Sequence, residues 1–254
     1  MRRINRILLL VMLALIPAQM VCAAVQKENI KYTLYLNWKF VWIKAGDASL
    51  VTLPTVYEGA DAYETTLYTT TSKTADAIFK LRDTITTVIT PKIEPKYYFK
   101  HCQEGDGRVY EKAWFTTPSA GKYSIHQHKI YNSGKVVTKD TVCTNPVYDM
   151  VSMIQKARSY DTASMKKGER IKFLMASGTA VREHELVFNG KEKIKDQSGK
   201  SFECSVISIF EPKTEKGKTS VEEILRVYVK NDAARTPLEI DFFMPIGVAK
   251  ARLN

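Results

Sequence analysis

Residues 30–42 read IKYTLYLNWKFVW. Every even position is apolar (Ile30, Tyr32, Leu34, Leu36, Trp38, Phe40, Trp42), while Lys31, Thr33, Asn37 and Lys39 hold odd ones. A period of two is the mark of a β-strand with one buried face. Kept straight, such a run would reach about 40 Å at 3.3 Å per residue, longer than ordinary strands, so the pattern predicts a bend or turn near Asn37 to Lys39. The strand then continues past Gly46 to Leu53.

The same rhythm recurs along the chain in TLYTTTS, DTITTVIT, PKYYFKHC, RVYEKAWFT, KYSIHQHKIY and KVVTKDTVC. Glu104 to Gly107 (EGDG) and Asn132 to Gly134 (NSG) supply residues that accept the positive φ of tight hairpin turns. A second series follows in ERIKFLMA, AVREHELVF, EKIKD, FECSVISIF, ILRVYVK, PLEIDFFM and VAKARL, with Asn189-Gly190 as a further turn. Short strands joined this way form an antiparallel meander.

Between the two series the period changes. Asn145-Pro146 reads as an N-cap and first helical residue, and Val147, Met150, Val151, Ile154 and Ala157 then recur at helical spacing, predicting one amphipathic helix over about 146–158. A shorter helix is expected over Thr74 to Lys80, where Ala75, Ile78 and Phe79 share a side. The expected fold is mainly β: an antiparallel meander curled into a strongly curved sheet or incomplete barrel, with the helix packed on it. No linker or composition shift divides the chain, so residues 25–254 are read as one β-rich domain.

Residues 1–24 read as a secretory signal peptide: Arg2, Arg3 and Arg6 precede the apolar run Ile7 to Pro17, and cleavage is expected near Ala23 or Ala24. That run is about half the roughly 20 residues of a membrane-spanning helix, and a mature protein that is periplasmic or secreted, not integral to the membrane, is expected. Val21 before Cys22 and Gln19 in place of Leu argue against a lipobox and lipid attachment at Cys22. Beyond residue 24 remain 35 Lys plus Arg against 27 Asp plus Glu, a formal charge of +8. The lysines are dispersed, which fits a solvated surface and leaves weak attraction to anionic envelope surfaces open; nucleic acid is not an expected partner. Cys102, Cys143 and Cys204 all fall in strand-like runs, as buried small hydrophobes or with one bridge, Cys102 to Cys143.

Read together, several segments resemble the domain-of-unknown-function family 3108 of the bacterial envelope. They are YTLYLNWKFVWIKAGDASL with its Ala45-Gly46, TADAIFKLRDTITTVI, PVYDMVSMIQKARSYD with the following MKKGERIKF, and LRVYVKNDAARTPLEIDFFMPIGVAKARL. The resemblance spans most of the chain after residue 24. It implies a secreted or periplasmic β-rich protein and hands over no catalytic residue.

Candidate chemistry is sparse. His126 and His128 share a strand face and His101 lies two strands away, but the hairpin registers bring His128 level with Phe99 rather than with His101, and no metal set is assigned. Hydrolase motifs and phosphate-cradling glycine loops are absent, and no catalytic residue, cofactor or metal is assigned. The charged positions in the family-like segments (Arg82, Asp83, Asp149, Arg158, Asp232, Arg235) are read as caps and surface pairs, or as a polar site at a cavity mouth. The aromatic load points further. Trp38, Phe40, Trp42 and Trp114, with Met150 and Ile154 of the helix, are the expected lining of an apolar cavity guarded by that helix. The expected function is therefore non-enzymatic binding of a lipid, acyl chain or other hydrophobic envelope molecule. The alternatives are a structural or protein-interaction module of the envelope and a hydrolase with an unrecognised site.

Overall fold

The computed structural model describes residues 25–38, 41–77, 79–119, 121–215, 218–244 and 247–254. The expected signal peptide, Cys22 and Phe40 therefore lie outside the described residues. The first series forms eight strands: β1 Glu28–Trp38, β2 Val41–Tyr57, β3 Ala60–Thr71, β4 Leu81–Ile89, β5 Pro95–Glu104, β6 Gly107–Ser119, β7 Lys122–Ile130 and β8 Val136–Cys143. A short helix, α1 Lys73–Asp76, precedes β4. The two-residue strand β9 Val147–Tyr148 and the helix α2 Met150–Ser159 lead into the second series. Its strands are β10 Arg170–Ser177, β11 Ala180–Lys195, β12 Ser201–Glu215, β13 Lys218–Lys230, β14 Pro237–Met244 and β15 Gly247–Leu253.

All fifteen strands belong to one sheet, ordered β8-β7-β6-β5-β4-β3-β2-β1-β15-β14-β13-β12-β11-β10-β9. Each meander is antiparallel, and the two join where β1 pairs with β15 (Tyr32 opposite Leu253, Leu36 opposite Ala249). The sheet curls until its margins meet. Gln127 Nε2 on β7 donates to the carbonyls of Gly178 (3.0 Å) and Ala180 (3.3 Å) at the β10–β11 turn. Gly178 N–H in turn donates to Glu111 on β6 (3.0 Å). The result is a nearly closed, barrel-like sheet, the curved antiparallel architecture expected from the alternation.

Local expectations change in four places. The turn expected near Asn37 to Lys39 is present, as a hairpin with β1 ending at Trp38 and β2 starting at Val41, but it reverses which face the alternation presents. Pairing across it sets Leu36 opposite Ile43 and Asn37 opposite Trp42. Opposed residues share a face, so even positions point inward on β1 and outward at the start of β2. A bulge between Leu34 and Tyr35 restores the parity, bringing Gly46 opposite Leu34. Gly46 is required there: a Cβ would lie 2.0 Å from the Thr70 carbonyl oxygen. Asn189-Gly190 is likewise a bulge within β11, where the register jumps between Phe188 and Gly190, and Gly190 takes φ +95°.

The third change is the start of the main helix. Val147 and Tyr148 pair in parallel with Leu174 and Met175, so the N-cap is Asp149 rather than Asn145. The Asp149 carboxylate accepts from the N–H groups of Val151 and Ser152 (2.9 Å each), and Asp149 N–H donates to the Ser152 hydroxyl (2.9 Å). These bonds form a capping box. The shorter helix is also trimmed, to Lys73–Asp76, with Ser72 as N-cap.

The helix α2 is not half-solvated as an amphipathic surface helix would be. Val151, Met153, Ile154 and Ala157 are fully buried, and Ser152, Gln155 and Arg158 on its other sides are buried too. It occupies the inside of the curled sheet, where its polar groups need partners. Gln155 Nε2 donates to the hydroxyls of Thr52 and Thr65 (3.1 and 3.3 Å), and Thr87 donates to Asp149 (2.7 Å). Arg158 makes a bidentate pair with Glu28 (2.5 and 2.8 Å) and donates to the carbonyls of Ala234 and Arg235. Arg235 answers by donating to the carbonyls of Arg158 and Tyr160, closing the helix C-terminus.

Cys102, Cys143 and Cys204 are free thiols. Cys102 lies on β5 and Cys143 at the end of β8, three strands apart, or about 14 Å at 4.8 Å per strand, which excludes the Cys102–Cys143 bridge.

Ile154→Asp is expected to destabilise the protein by about 3–5 kcal/mol, because an unpaired carboxylate would be buried inside the sheet. Lys156→Asp, at a half-buried position beside the Tyr160 ring, should cost about 1 kcal/mol or less. Equal urea midpoints for the two variants would contradict the placement of the helix. Gly46→Ala should cost at least about 2 kcal/mol in the same titration, since the obstructing atom belongs to the backbone.

Candidate functional site

The helix fills only part of the lumen. Its C-terminal half is tied to the barrel end that holds Glu28 and the 234–235 loop. Towards the other end, where the β1–β2, β5–β6 and β14–β15 hairpins turn, a cavity of about 240 Å³ remains. Leu34, Leu67, Ile85, Ile209, Leu225 and Phe242 supply apolar wall from both meanders, and Met150, the first residue of α2, reaches its inner side. These are alternate residues of their strands, brought together because the sheet curls. Ile224, Phe243 and Met244 also border a broad open recess outside the mouth. Charged residues surround that recess, among them the ion pairs Arg182–Glu211 (2.8 Å) and Lys213–Glu222 (3.0 Å).

One side of the cavity is polar. On β4 the inward positions run Leu81, Asp83, Ile85, and on β5 the residues opposite them are Glu104, Cys102 and Lys100. Asp83, Lys100 and Glu104 line the cavity with Thr69 of β3. Burial raises the Asp83 pKa to about 6, with Glu104 adding to the rise and the Cys102 thiol and the Lys100 charge opposing it. Burial works against the Lys100 charge too, but the acids around it, Glu111, Glu104 and Asp83, hold its ammonium above the usual lysine range. The Cys102 thiol is pushed far above the usual thiol range by burial and stays protonated. One oxygen of Asp83, Oδ1, and the Thr69 hydroxyl are buried with no hydrogen-bond partner among the described residues.

Asp83, Cys102 and Glu104 place their ligand atoms within 4.8 Å of one another. The neighbouring Lys100 ammonium and the protonated thiol make this trio a poor cation cradle.

The residues expected to line a cavity separate. Met150 does line it. Ile154 is buried in the helix packing instead. Trp42 is on the outer face, 43% exposed, with Lys250 Nζ 5.1 Å from its ring centroid. Trp114 also faces outward, because its neighbours Ala113 and Phe115 point into the core, and it packs against Tyr97 and His126 (5.7 and 5.5 Å between centroids). The Trp38 side chain and Phe40 lie outside the described residues. His126 pairs with Asp140 (2.7 Å), and His128 is opposite Lys112, level with Phe99 as the registers indicated. The polar side of the cavity was missed as a unit; its sequence signal is an acid, Asp83, at an inward position of β4 between the apolar Leu81 and Ile85.

With this geometry in view, the comparisons are specific about family and silent about chemistry. A family model described as "Protein of unknown function (DUF3108)" matches residues 31–254. The chain belongs to this family. Among solved structures, a beta-barrel-like protein of domain of unknown function DUF1849 from Brucella abortus is similar in fold. It covers 89% of the DUF3108 chain and 95% of its own, with a TM-score of 0.52 and 11% identity. No curated protein matches the DUF3108 chain. Among the described residues no helix is long and apolar enough to cross a membrane.

The Asp83 pKa has a measurable consequence. It lies above the ordinary value of 3.8, so the fold prefers the protonated carboxyl. Its contribution to stability is greatest below about pH 4 and is lost as pH rises through about 6, by up to about 3 kcal/mol. Asp83→Asn should therefore raise the urea midpoint at about pH 8 and leave it nearly unchanged at about pH 4. A stabilisation equal at both values would contradict the assignment.

Proposed function

We propose that this protein is exported to the cell envelope, its first 24 residues acting as a signal peptide. There it holds a hydrophobic or amphiphilic molecule, without catalysis, in the lumen of its curled sheet. The observation that carries the reading is the apolar cavity between the two meanders, closed on its inner side by α2 and open towards a charged rim. Its volume of about 240 Å³ exceeds the roughly 150 Å³ that accommodates a benzene-sized guest and falls below the pockets typical of drug-sized ligands. That size suits one acyl chain or a small apolar molecule rather than a two-chain lipid. Burial supplies the affinity, at about 0.8 kcal/mol for each CH₂ removed from water.

The test uses N-phenyl-1-naphthylamine, a neutral apolar fluorophore. The folded protein should bind it saturably and near one-to-one. Ala249→Phe, which fills the cavity from β15, should weaken binding by about tenfold or more. Trp42→Ala and Trp114→Ala, both on the outer face, should leave it unchanged. Non-saturable binding, or equal loss from the outer tryptophans, would defeat the cavity reading in favour of an interaction surface on the aromatic outer face.

A further inference from the structure

The polar groups on one side of the cavity limit what can sit in it. Thr69 Oγ1 and Asp83 Oδ1 are buried without partners among the described residues. Among the described residues no hydrogen bond or ion pair engages Lys100 Nζ either, although burial and three surrounding acids would reward one. Unmet polar groups in an apolar lumen are costly, and in native proteins such groups are usually answered by water or a ligand. Here they differ in kind: an ammonium that only donates, a carboxylate oxygen that accepts, and a hydroxyl that does both. A guest that satisfies them must itself donate and accept.

Charge narrows the class further. Glu111 is already matched, by Lys129 (2.9 Å) and by the Gly178 N–H (3.0 Å). The charged groups facing the cavity are then Lys100 against Asp83 and Glu104. An anionic head drawn to Lys100 would lie beside two carboxylates, and a cationic head drawn to the carboxylates would meet Lys100. An anionic head gains one partner and faces two like charges, and a cationic head gains two partners and faces one, so each meets opposition. A neutral head with several hydroxyls meets all three groups without a like-charge contact.

We infer that the cavity takes a single-chain amphiphile with an uncharged, hydroxyl-bearing head, of the monoacylglycerol type, with Thr69, Asp83 and Lys100 reading the head. This rests on the proposed function and adds the ligand class to it. The apolar walls hold the chain, and the three polar groups hold the hydroxyls.

The experiment is displacement of N-phenyl-1-naphthylamine at about pH 8, below micellar concentrations, by three amphiphiles of equal chain length: monolauroylglycerol, laurate and dodecyltrimethylammonium. Monolauroylglycerol should displace the fluorophore at concentrations lower by about tenfold or more than either charged amphiphile. Asp83→Asn removes one negative charge from the cavity while keeping an acceptor, and should narrow the gap to laurate by about threefold or more. Urea titration of the same variant shows that it is folded. Displacement by laurate or dodecyltrimethylammonium as effective as by monolauroylglycerol would overturn the head-group inference and leave the cavity reading standing, and so would no displacement by any of the three. Failure of N-phenyl-1-naphthylamine itself to bind would remove the cavity reading and this inference with it.

Discussion

Three residues, Thr144, Asn145 and Pro146, join the two margins of the sheet. β8 ends at Cys143 and β9 begins at Val147, yet these strands stand at opposite ends of the fifteen-strand order. Laid flat, the sheet would be roughly 70 Å wide at 4.8 Å per strand, whereas four Cα steps cover at most about 15 Å. The link is compatible only with a sheet that has curled nearly shut. Pairing of β1 with β15 fixes the other seam, so that residues far apart in the chain become neighbours on one wall. Every later feature of the molecule follows from the lumen that this closure creates.

A lumen of this circumference cannot be filled by wall side chains alone; barrels of about eight strands are the size at which inward residues suffice. The helix answers that need and shows what it costs. Surrounded by strands, it has no solvent face on which to leave Gln155 and Arg158, so each must find partners inside. Thr52 and Thr65 are placed on adjacent strands to meet Gln155, and Glu28 at the start of β1 meets Arg158. The Arg158–Glu28 pair joins helix to wall by charge-assisted bonds whose loss on one side would strand a buried ion, so it serves placement of the helix more than net stability. Because α2 has only ten residues, it fills only part of the lumen.

The curled antiparallel class was legible in the alternation, since period two reports faces directly. Which face a residue occupies was less so. A tight hairpin inverts parity while the apolar rhythm of residues 30–42 runs on, and the bulge beside Ala45 inverts it back. Trp42 therefore lies outside although it continues the rhythm of Tyr32 and Leu34. Trp114 misled for a related reason: on β6 the small Ala113 is the core residue and the large ring beside it faces outward. Asn145-Pro146 carried the local chemistry of a helix start, but the parallel pairing of Val147 and Tyr148 with β10 depends on residues nearly thirty positions later in the chain, and tertiary pairing overrode the local signal. The register that sets Phe99 level with His128 was recoverable from the alternation of β5, β6 and β7.

The polar side of the cavity breaks the rule that otherwise governs the inner face. On β4 the positions flanking Asp83 are Leu81 and Ile85, both buried, and leucine in place of Asp83 would extend the apolar wall without a break. Burial instead holds the Asp83 carboxyl at a pKa near 6, a state that costs stability at neutral pH, and Lys100 and Glu104 share the same inner surface. Several other polar residues inside the barrel do find partners: Gln155 with two threonines, Arg158 with Glu28, Glu111 with Lys129 and Gly178. Thr69, Asp83 and Lys100 form no such set among the described residues. An apolar cavity whose wall leaves a donor, an acceptor and a hydroxyl unmet side by side is shaped for something it does not itself contain.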